Sequence, residues 1–308
     1  MLLPVDAFRQ LPNNLKGAVL LMLAAAGFAL MIALIKLAGE RLSVVQILFV
    51  RQMGMLVMLA PTVLMDFRGA VKTQRLDLQL VRIMLALVAM MCGFTAVVNM
   101  PLADATAIGF AKSFFVTIFA VVVLKETVGV HRWSAVALGF LGVVIMVRPG
   151  SDGATVYGLL AVTGAAAAGA VMVVIRLLSR SDQTRTILLY QAAGVGIVMV
   201  VPAILTWQAP TSLEWGLLIA IGFVSYFAQK LNVLAYTFGE ASVLASLDYV
   251  RLLYATALGW MLFDTFPGTS TWVGAGIIVL ASVYTIWRER IRNQRLARDP
   301  AGRGFTTN

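Results

Sequence analysis

The stretch ADATAIGFAKSFFVTIFAVVVLKE, residues Ala103 to Glu126, decides the architecture of this chain. It is apolar enough to lie in a membrane, yet Lys112 stands well inside the apolar run. A related stretch, GEASVLASLDYVRLLYATALGWMLFDT, begins about 136 residues later at Gly239 and ends at Thr265. The sequence therefore predicts two copies of one unit.

The polar landmarks of the two stretches support this duplication. Superposing them matches Asp104 with Glu240 and places Lys112 opposite Asp248. One copy thus carries a cation within the apolar run where the other carries an anion. Outside the two stretches, an offset of about 140 residues gives four further matches: Lys36 with Arg176, Ile47 with Ile187, Arg51 with Gln191, and Gly54 with Gly194.

The composition excludes an ordinary soluble domain. Of the 308 residues 60% are hydrophobic and 12% are charged, whereas soluble proteins average about 25% charged residues. The apolar runs reach roughly 18 residues or more, the length that a helix needs to cross a bilayer. The net charge of +10 is explained by the Lys and Arg that cytoplasmic loops collect, so no nucleic-acid partner is expected. The single cysteine, Cys92, excludes an intramolecular disulfide and a CxxC metal site.

The hydropathy pattern predicts an all-α membrane protein with ten transmembrane helices, arranged as five plus five. A cytoplasmic segment, residues 1–15, precedes a first repeat at 16–150 and a second repeat at 151–287, and a basic cytoplasmic tail occupies 288–308. The predicted helices are Lys16–Lys36, Val44–Met65, Leu78–Val98, Ala103–Leu124, Trp133–Val147, Val156–Arg176, Thr186–Trp207, Leu213–Tyr236, Ala241–Phe263 and Trp272–Trp287.

The distribution of basic residues predicts the orientation of the chain. With the N-terminus in the cytoplasm, sixteen Lys and Arg residues lie on the inner side and three on the outer side. Because cytoplasmic loops are the ones enriched in Lys and Arg, both termini are expected in the cytoplasm of an inner-membrane protein.

A five-helix unit used twice has a geometric consequence. Five crossings reverse the direction of the chain, so the second copy enters the membrane from the opposite side. Such inverted repeats are typical of secondary transporters, which bind substrate near the midplane between the repeats. The alternative is that the duplication only builds a stable bundle.

The residues from Pro101 to Gly150 resemble the drug/metabolite transporter superfamily, specifically its EamA-type members with ten helices. The similarity lies in a helix, a turn at Leu124-Lys125-Glu126, and a second helix carrying Gly139 and Gly142. The resemblance implies alternating access and movement of small metabolites, often export of amino acids or related compounds. Family members commonly have a proline within the helices corresponding to 4 and 9, and this chain has none there.

Three ionisable residues are predicted to lie near the middle of the membrane: Lys112, Asp248 and Arg251. Such residues are costly in hydrocarbon and are candidate functional residues for that reason. A cluster of the three would complement an amino acid, whose carboxylate suits Lys112 or Arg251 and whose ammonium suits Asp248. The alternative is that Asp248 and Arg251, three residues apart on one helix face, neutralise each other.

Further candidate substrate-binding residues lie on the neighbouring helices. Arg51 is about 10 Å into helix 2 and would either pair with a lipid headgroup or line the outer vestibule. Helix 8 is unusually polar around Tyr226, Gln229 and Lys230, and Tyr249 would line a pocket. Arg82, in contrast, is expected to extend to the cytoplasmic interface.

The expected partners are a small-molecule substrate and membrane lipid, with no cofactor and no metal. The only histidine, His131, excludes an HExxH site, and no GxSxG, GxGxxG or Walker A motif occurs. An enzyme is therefore disfavoured. A channel is disfavoured as well, because no loop resembles a selectivity filter.

Overall fold

The computed structural model describes residues 13–125, 130–147, 154–178, 180–238 and 250–298. Glu126, Glu240, Asp248 and Tyr249 lie outside these ranges. Every regular element in the described ranges is helical. The helices are α1 Asn13–Ala38, α2 Val44–Met65, α3 Phe67–Val71, α4 Leu76–Asn99, α5 Leu102–Gly109, α6 Lys112–Leu124, α7 Val130–Val147, α8 Ala154–Leu178, α9 Thr184–Leu205, α10 Ser212–Phe238, α11 Val250–Phe263 and α12 Thr269–Arg298.

Seven spans among the described residues are long and apolar enough to cross a membrane, and three shorter apolar helices accompany them. Many large apolar side chains on these helices are exposed, such as Val57, Ile197 and Leu280. In hydrocarbon every backbone polar group must be paired within the protein, which a helix achieves by itself. This arrangement is that of a multi-pass membrane protein.

The fourth predicted helix is not one continuous α-helix. It is divided at Phe110 and Ala111 into α5 and α6. There the backbone tightens: the N–H groups of Phe110, Ala111, Ser113 and Phe114 each donate to the carbonyl three residues earlier. Such 3₁₀ stretches in the middle of a helix often mark hinges. The predicted fourth helix, Ala103–Leu124, is thus present as one apolar span, Leu102–Val123, and the interruption within it occurs without a proline.

Helices from the two halves of the chain pack in matched pairs. α1 packs against α10 and α4 packs against α8, while α2 packs against α9 and α7 against α12. The smaller interfaces also come in equivalent pairs. The contact of α6 with α8 is equivalent to that of α11 with α1, and the contact of α4 with α9 is equivalent to that of α10 with α2. These main contacts of one half thus have equivalents in the other.

α2 and α9 run antiparallel and are joined at both ends by polar contacts. We call the contact between residues 66–79 and 182–190 clamp A, and the contact between residues 41–46 and 206–214 clamp B. In clamp B, Arg41 pairs with Glu214, Ser43 Oγ lies 3.2 Å from Thr206 Oγ1, and Gln46 Nε2 donates to Gln208 O at 2.9 Å.

Clamp A is built around Asp182, which is 8% exposed. Its carboxylate accepts from Thr73 Oγ1, from Gln74 N at 3.1 Å and from Gln79 Nε2 at 2.8 Å. Burial alone would raise the pKa of Asp182, but these hydrogen bonds together hold that pKa below its usual range. Beside it, Arg185 pairs with Asp66 and the Tyr190 hydroxyl donates to Val71 O at 3.0 Å.

Two glycines at matched positions of the repeat allow close helix approach. A Cβ on Gly54 of α2 would lie 3.0 Å from Gly222 Cα of α10. A Cβ on Gly194 of α9 would lie 2.3 Å from Ile83 Cδ1 of α4. Small residues let helices approach closely in membranes, and at these equivalent crossings Gly54 meets backbone whereas Gly194 makes room for the Ile83 side chain.

The ends of α6 and α11 carry the two non-glycine residues with positive φ in the described chain, Lys125 (φ 53°) and Asp264 (φ 48°). At Asp264 the chain closes α11 with a bond from Asp264 N to Trp260 O, 3.1 Å, the 5→1 bond of an αL helix ending. The left-handed conformation costs an L-residue about 1–2 kcal/mol and costs glycine nothing comparable.

Asp264→Gly is therefore expected to stabilise the protein by about 0.5–1 kcal/mol, because glycine adopts the required φ without a steric penalty. Thermal unfolding in detergent checks this, and Lys125→Gly should act in the same direction. A lower melting temperature in both variants would show that these side chains stabilise the helix ends.

Candidate functional site

Arg51 on α2 is a buried cation at a helix interface and is 4% exposed. Its Nε donates to Ser225 Oγ of α10 at 3.0 Å, and its Nη1 donates to Gln52 Oε1 at 3.0 Å. The guanidinium carbon lies 5.7 Å from the centre of the Phe94 ring of α4. Arg51 therefore lies where α2 and α4 of the first half meet α10 of the second, and not among lipid headgroups.

A second buried arginine, Arg82 on α4, joins the same polar network. It is 2% exposed, and its Nη2 donates to Gln191 Oε1 of α9 at 2.6 Å while its Nη1 donates to Ile187 O at 2.7 Å. Gln52 Nε2 reaches Gln191 O at 3.4 Å. The network thus runs from Arg82 through Gln191 and Gln52 to Arg51, crossing both halves of the chain.

No carboxylate of the described residues forms an ion pair with either arginine. The ion pairs found in the described ranges lie at helix ends, in clamps A and B and between Arg75 and Asp77. Arg82 Nε is buried and has no hydrogen-bond partner there. Burying an unpaired cation is costly, so this network is a favourable place for an anionic ligand.

Arg251, on the first turn of α11, is held by aromatic rings. Its guanidinium carbon lies 5.1 Å from the centre of the Phe110 ring and 6.0 Å from that of Phe28. Phe110 is one of the two residues that divide α5 from α6. Cation–π contacts of this kind hold an arginine without neutralising its charge.

Arg51 and Arg251 each contact an aromatic ring that packs on the same aliphatic cluster. Phe28, beside Arg251, and Phe94, beside Arg51, both pack against the cluster formed by Met31, Ile35, Ala38, Leu42, Ile47, Leu218 and Ile221. Each of the two guanidinium groups therefore contacts an aromatic ring that packs against this cluster.

The sequence profile of the EamA-like transporter family matches this chain twice, at residues 15–148 and again at 156–287. Together the two matches cover most of the chain. The chain belongs to the EamA-like transporter family.

Curated relatives of this EamA-type protein are named as transporters. The pseudopaline exporter CntI of Pseudomonas aeruginosa is 31% identical over 87% of this chain and 94% of its own length. A riboflavin transporter of Brucella anthropi is 29% identical over 80% of this chain and 90% of its own. An S-adenosylmethionine uptake transporter of Rickettsia prowazekii is 26% identical over 83% of this chain and 87% of its own length.

A crystal structure of a protein matches this fold with a TM-score of 0.62 and 15% identity, covering 89% of this chain and 96% of the other. That likeness concerns the fold alone. The family and the relatives together establish that this EamA-type chain is a multi-pass membrane transporter. The names of the relatives fit the prediction that it is not an enzyme.

The structure places the other predicted site residues of this EamA-type chain in different surroundings. Lys112 is half-buried at the first position of α6, directly after the 3₁₀ stretch. Tyr226 packs against the cluster of Met55, Leu59, Val63, Ala70 and Ala192 between α2 and α9. Lys230 is exposed, with its Nζ 5.9 Å from the Tyr226 ring centre, and Gln229 is half-buried beside it. Asp248 and Tyr249 lie outside the described residues.

The interpretation of Arg82 was wrong, because this side chain is buried and does not extend to the interface. The sequence analysis also missed Gln52 and Ser225, the hydrogen-bond partners of Arg51. One available signal was the pairing of Arg51 with Gln191 in the repeat alignment, since both positions prove to lie in one network. Asp104 Oδ1 accepts from Thr271 Oγ1 at 2.7 Å and so joins α5 to α12.

Lys36 has a structural role at the end of α4. Its Nζ donates to the carbonyls of Val97, Val98 and Met100 at 3.2, 3.2 and 2.7 Å. Cations at helix C-termini pair with the free carbonyls and the negative end of the dipole. Lys36 is therefore satisfied by backbone and is not part of the anion-binding network.

Proposed function

We propose that this EamA-type protein is a secondary transporter that moves amino acids or related carboxylate-bearing metabolites across the inner membrane, outward, by alternating access between its two halves. The observation that carries the proposal is Arg51, a buried cation at the interface of the two halves with no carboxylate partner among the described residues. A substrate carboxylate would supply the missing charge, and charge-assisted hydrogen bonds to arginine are among the strongest in proteins.

Alternating access is supported by the packing. The main contacts between helices of the two halves have counterparts, and α2 lies antiparallel to α9. A two-fold axis relating antiparallel membrane helices lies in the membrane plane, as in inverted-repeat transporters. The 3₁₀ stretch between α5 and α6 would provide a hinge next to Lys112.

The orientation is supported by the loops of clamp A. Arg68, Lys72, Arg75, Arg180 and Arg185 all lie in or beside this clamp, whereas clamp B contains Arg41 alone. Since cytoplasmic loops are enriched in Lys and Arg, clamp A belongs on the cytoplasmic side and both termini with it. The exporter among the relatives supports outward transport.

A second candidate substrate class is a ring-containing metabolite taken up or exchanged. The rings of Phe28, Phe94 and Phe110 near the two arginines favour a planar group. The names of the riboflavin and S-adenosylmethionine transporters among the relatives point the same way.

The experiment that tests the proposal is counterflow in proteoliposomes. Purified protein in liposomes preloaded with unlabelled amino acids should accumulate the labelled amino acid, with and without a proton gradient as separate arms. Flux of riboflavin or a nucleotide, with no flux of any amino acid in a broad panel, would overturn the amino-acid assignment in favour of the second candidate.

Lys112→Ala is expected to abolish this flux while leaving the protein folded, because Lys112 follows the hinge stretch and supplies a cation at mid-membrane depth. Asp248→Ala is expected to do the same. Lys72→Ala, which removes an exposed cation of the α3–α4 loop, is the matched control and should transport normally. Wild-type flux in the Lys112 and Asp248 variants would remove both residues from the site.

A further inference from the structure

Arg251 differs from the other cations of the described membrane region in how it is satisfied. Lys36 reaches three carbonyls, and Arg82 reaches two acceptors in spite of its unpaired Nε. Arg51 reaches Ser225 and Gln52. Arg251 Nε is buried and has no hydrogen-bond partner in the described part of the chain, and two aromatic rings contact its guanidinium group.

The ring contacts do not satisfy the Nε donor of Arg251. A guanidinium group carries its five N–H donors in one plane. Rings within about 6 Å of its carbon contribute a cation–π attraction and accept none of those donors in the way an oxygen does. A planar carboxylate matches the fork of Nε and Nη donors and binds it through two parallel hydrogen bonds. The chemistry of the place is therefore that of a carboxylate subsite.

Contacts along α1 and α10 connect this subsite to Arg51. Arg51 donates to Ser225 of α10, and Ala228 lies three residues further along the same helix. A Cβ on Gly27 of α1 would lie 3.0 Å from Ala228 Cβ. Phe28 follows Gly27 directly and carries Arg251 on its ring. In this chain of contacts Ser225 and Ala228 lie about 4.5 Å apart along the axis of α10, and Phe28 links α1 to Arg251.

We propose that Arg251 is a second anion subsite, and that the substrate carries two carboxylates, one held by Arg51 and one by Arg251. This rests on the proposed function, in which Arg51 binds the first carboxylate. Phe28 and Phe110 keep the Arg251 guanidinium in place, and its buried Nε gains an acceptor only when the second carboxylate arrives. A substrate in which an amide replaces that carboxylate leaves the cation without a counter-charge and binds more weakly.

The test uses glutamate and glutamine, which differ in one carboxylate and are nearly equal in size. In proteoliposome counterflow, the wild-type protein should prefer glutamate over glutamine at least about tenfold in kcat/KM. Arg251→Gln should reduce that ratio at least about tenfold, and Arg251→Lys should give an intermediate ratio because it keeps the charge and loses the fork. Arg68→Gln, an exposed arginine of α3, is the control and should keep the wild-type ratio.

Two results would overturn the subsite, and a third would overturn the proposed function with it. The subsite is wrong if the wild-type protein does not prefer glutamate. It is also wrong if Arg251→Gln reduces both fluxes equally and Asp248→Asn restores them, since Arg251 would then only balance Asp248. Absence of flux for every amino acid in the wild-type protein rejects the proposed function itself, whereas flux of other amino acids without preference for glutamate rejects only the second subsite.

Discussion

Arg51→Gln is expected to reduce transport roughly 30- to 1000-fold, the loss that corresponds to about 2–4 kcal/mol for a buried charge pair with the substrate. Glutamine retains a polar group near Ser225 and Gln52 but lacks the cation that would bind a carboxylate. The transport rate of Arg51→Lys should lie between those of the wild-type protein and Arg51→Gln, because an ammonium keeps the charge and loses the planar fork. Counterflow in proteoliposomes measures the flux of each variant.

The stability of the same variants separates a binding role from a structural one. Removing an unpaired cation from the membrane interior relieves a cost, so the melting temperature of Arg51→Gln should equal or exceed that of the wild-type protein. Arg180→Gln, which replaces an exposed arginine in the α8–α9 loop, serves as the control for both measurements. Normal flux in Arg51→Gln, or lost flux together with a sharply lower melting temperature, contradicts the assignment.

Asp182→Ala is expected to destabilise the protein by about 2–3 kcal/mol. The carboxylate is buried and accepts from Thr73, Gln74 and Gln79, and truncating it leaves these donors without their acceptor. Because clamp A joins the loop before α9 to the start of α4, its loss should also open this end of the protein. Thermal unfolding in detergent measures the first effect. Labelling of a cysteine introduced at Ala70 of clamp A, which is fully buried, against a Cys92→Ser background, measures the second.

Asp77→Asn is the matched control for Asp182→Ala, because the Arg75–Asp77 pair is exposed and such pairs contribute about 0–1 kcal/mol.

The pH dependence of the melting temperature gives a further check on the role of Asp182. The pKa of Asp182 is lowered from 3.8, so its contribution to stability is complete above that pH and is lost as the pH falls below it. The difference in melting temperature between wild type and Asp182→Ala should therefore persist at neutral pH and shrink below about pH 4. A difference that is absent at neutral pH contradicts the role given to clamp A.

Much of the fold follows from local patterns in the sequence. α2 begins at Val44 and ends at Met65, as the run of apolar residues predicts, and α11 ends at Phe263. Long uncharged runs in a chain with few charged residues suffice to predict membrane helices. The predicted membership of the EamA family was confirmed.

The interruption between α5 and α6 could not be predicted in the same way. A proline would have marked it, but the 3₁₀ stretch here arises from hydrogen bonds between residues three apart, which leave no compositional signal. The burial of Arg82 was missed for a related reason. It depends on Gln191, which comes from the other half of the chain, and a long-range pairing of this kind cannot be read from the flanking residues.

The site was predicted only in outline. Buried cations within apolar runs are recognisable from the sequence, and Arg51 and Arg251 were both candidates on that basis. The sequence does not show which of them meets an acid, a carbonyl or an aromatic ring. Lys36 and Arg51 lie in similar apolar surroundings, yet Lys36 is satisfied by the end of α4 and Arg51 by two side chains.

The most direct test of the account compares an amino acid with the amine that lacks only its carboxylate. Tryptophan and tryptamine, or glutamate and γ-aminobutyrate, can be offered as competitors to a labelled amino acid in the same proteoliposomes. Recognition of a carboxylate by Arg51 predicts that the amino acids compete at least about tenfold more strongly than the amines, and that Arg51→Gln removes this difference. Equal competition by amine and amino acid in the wild-type protein would contradict it.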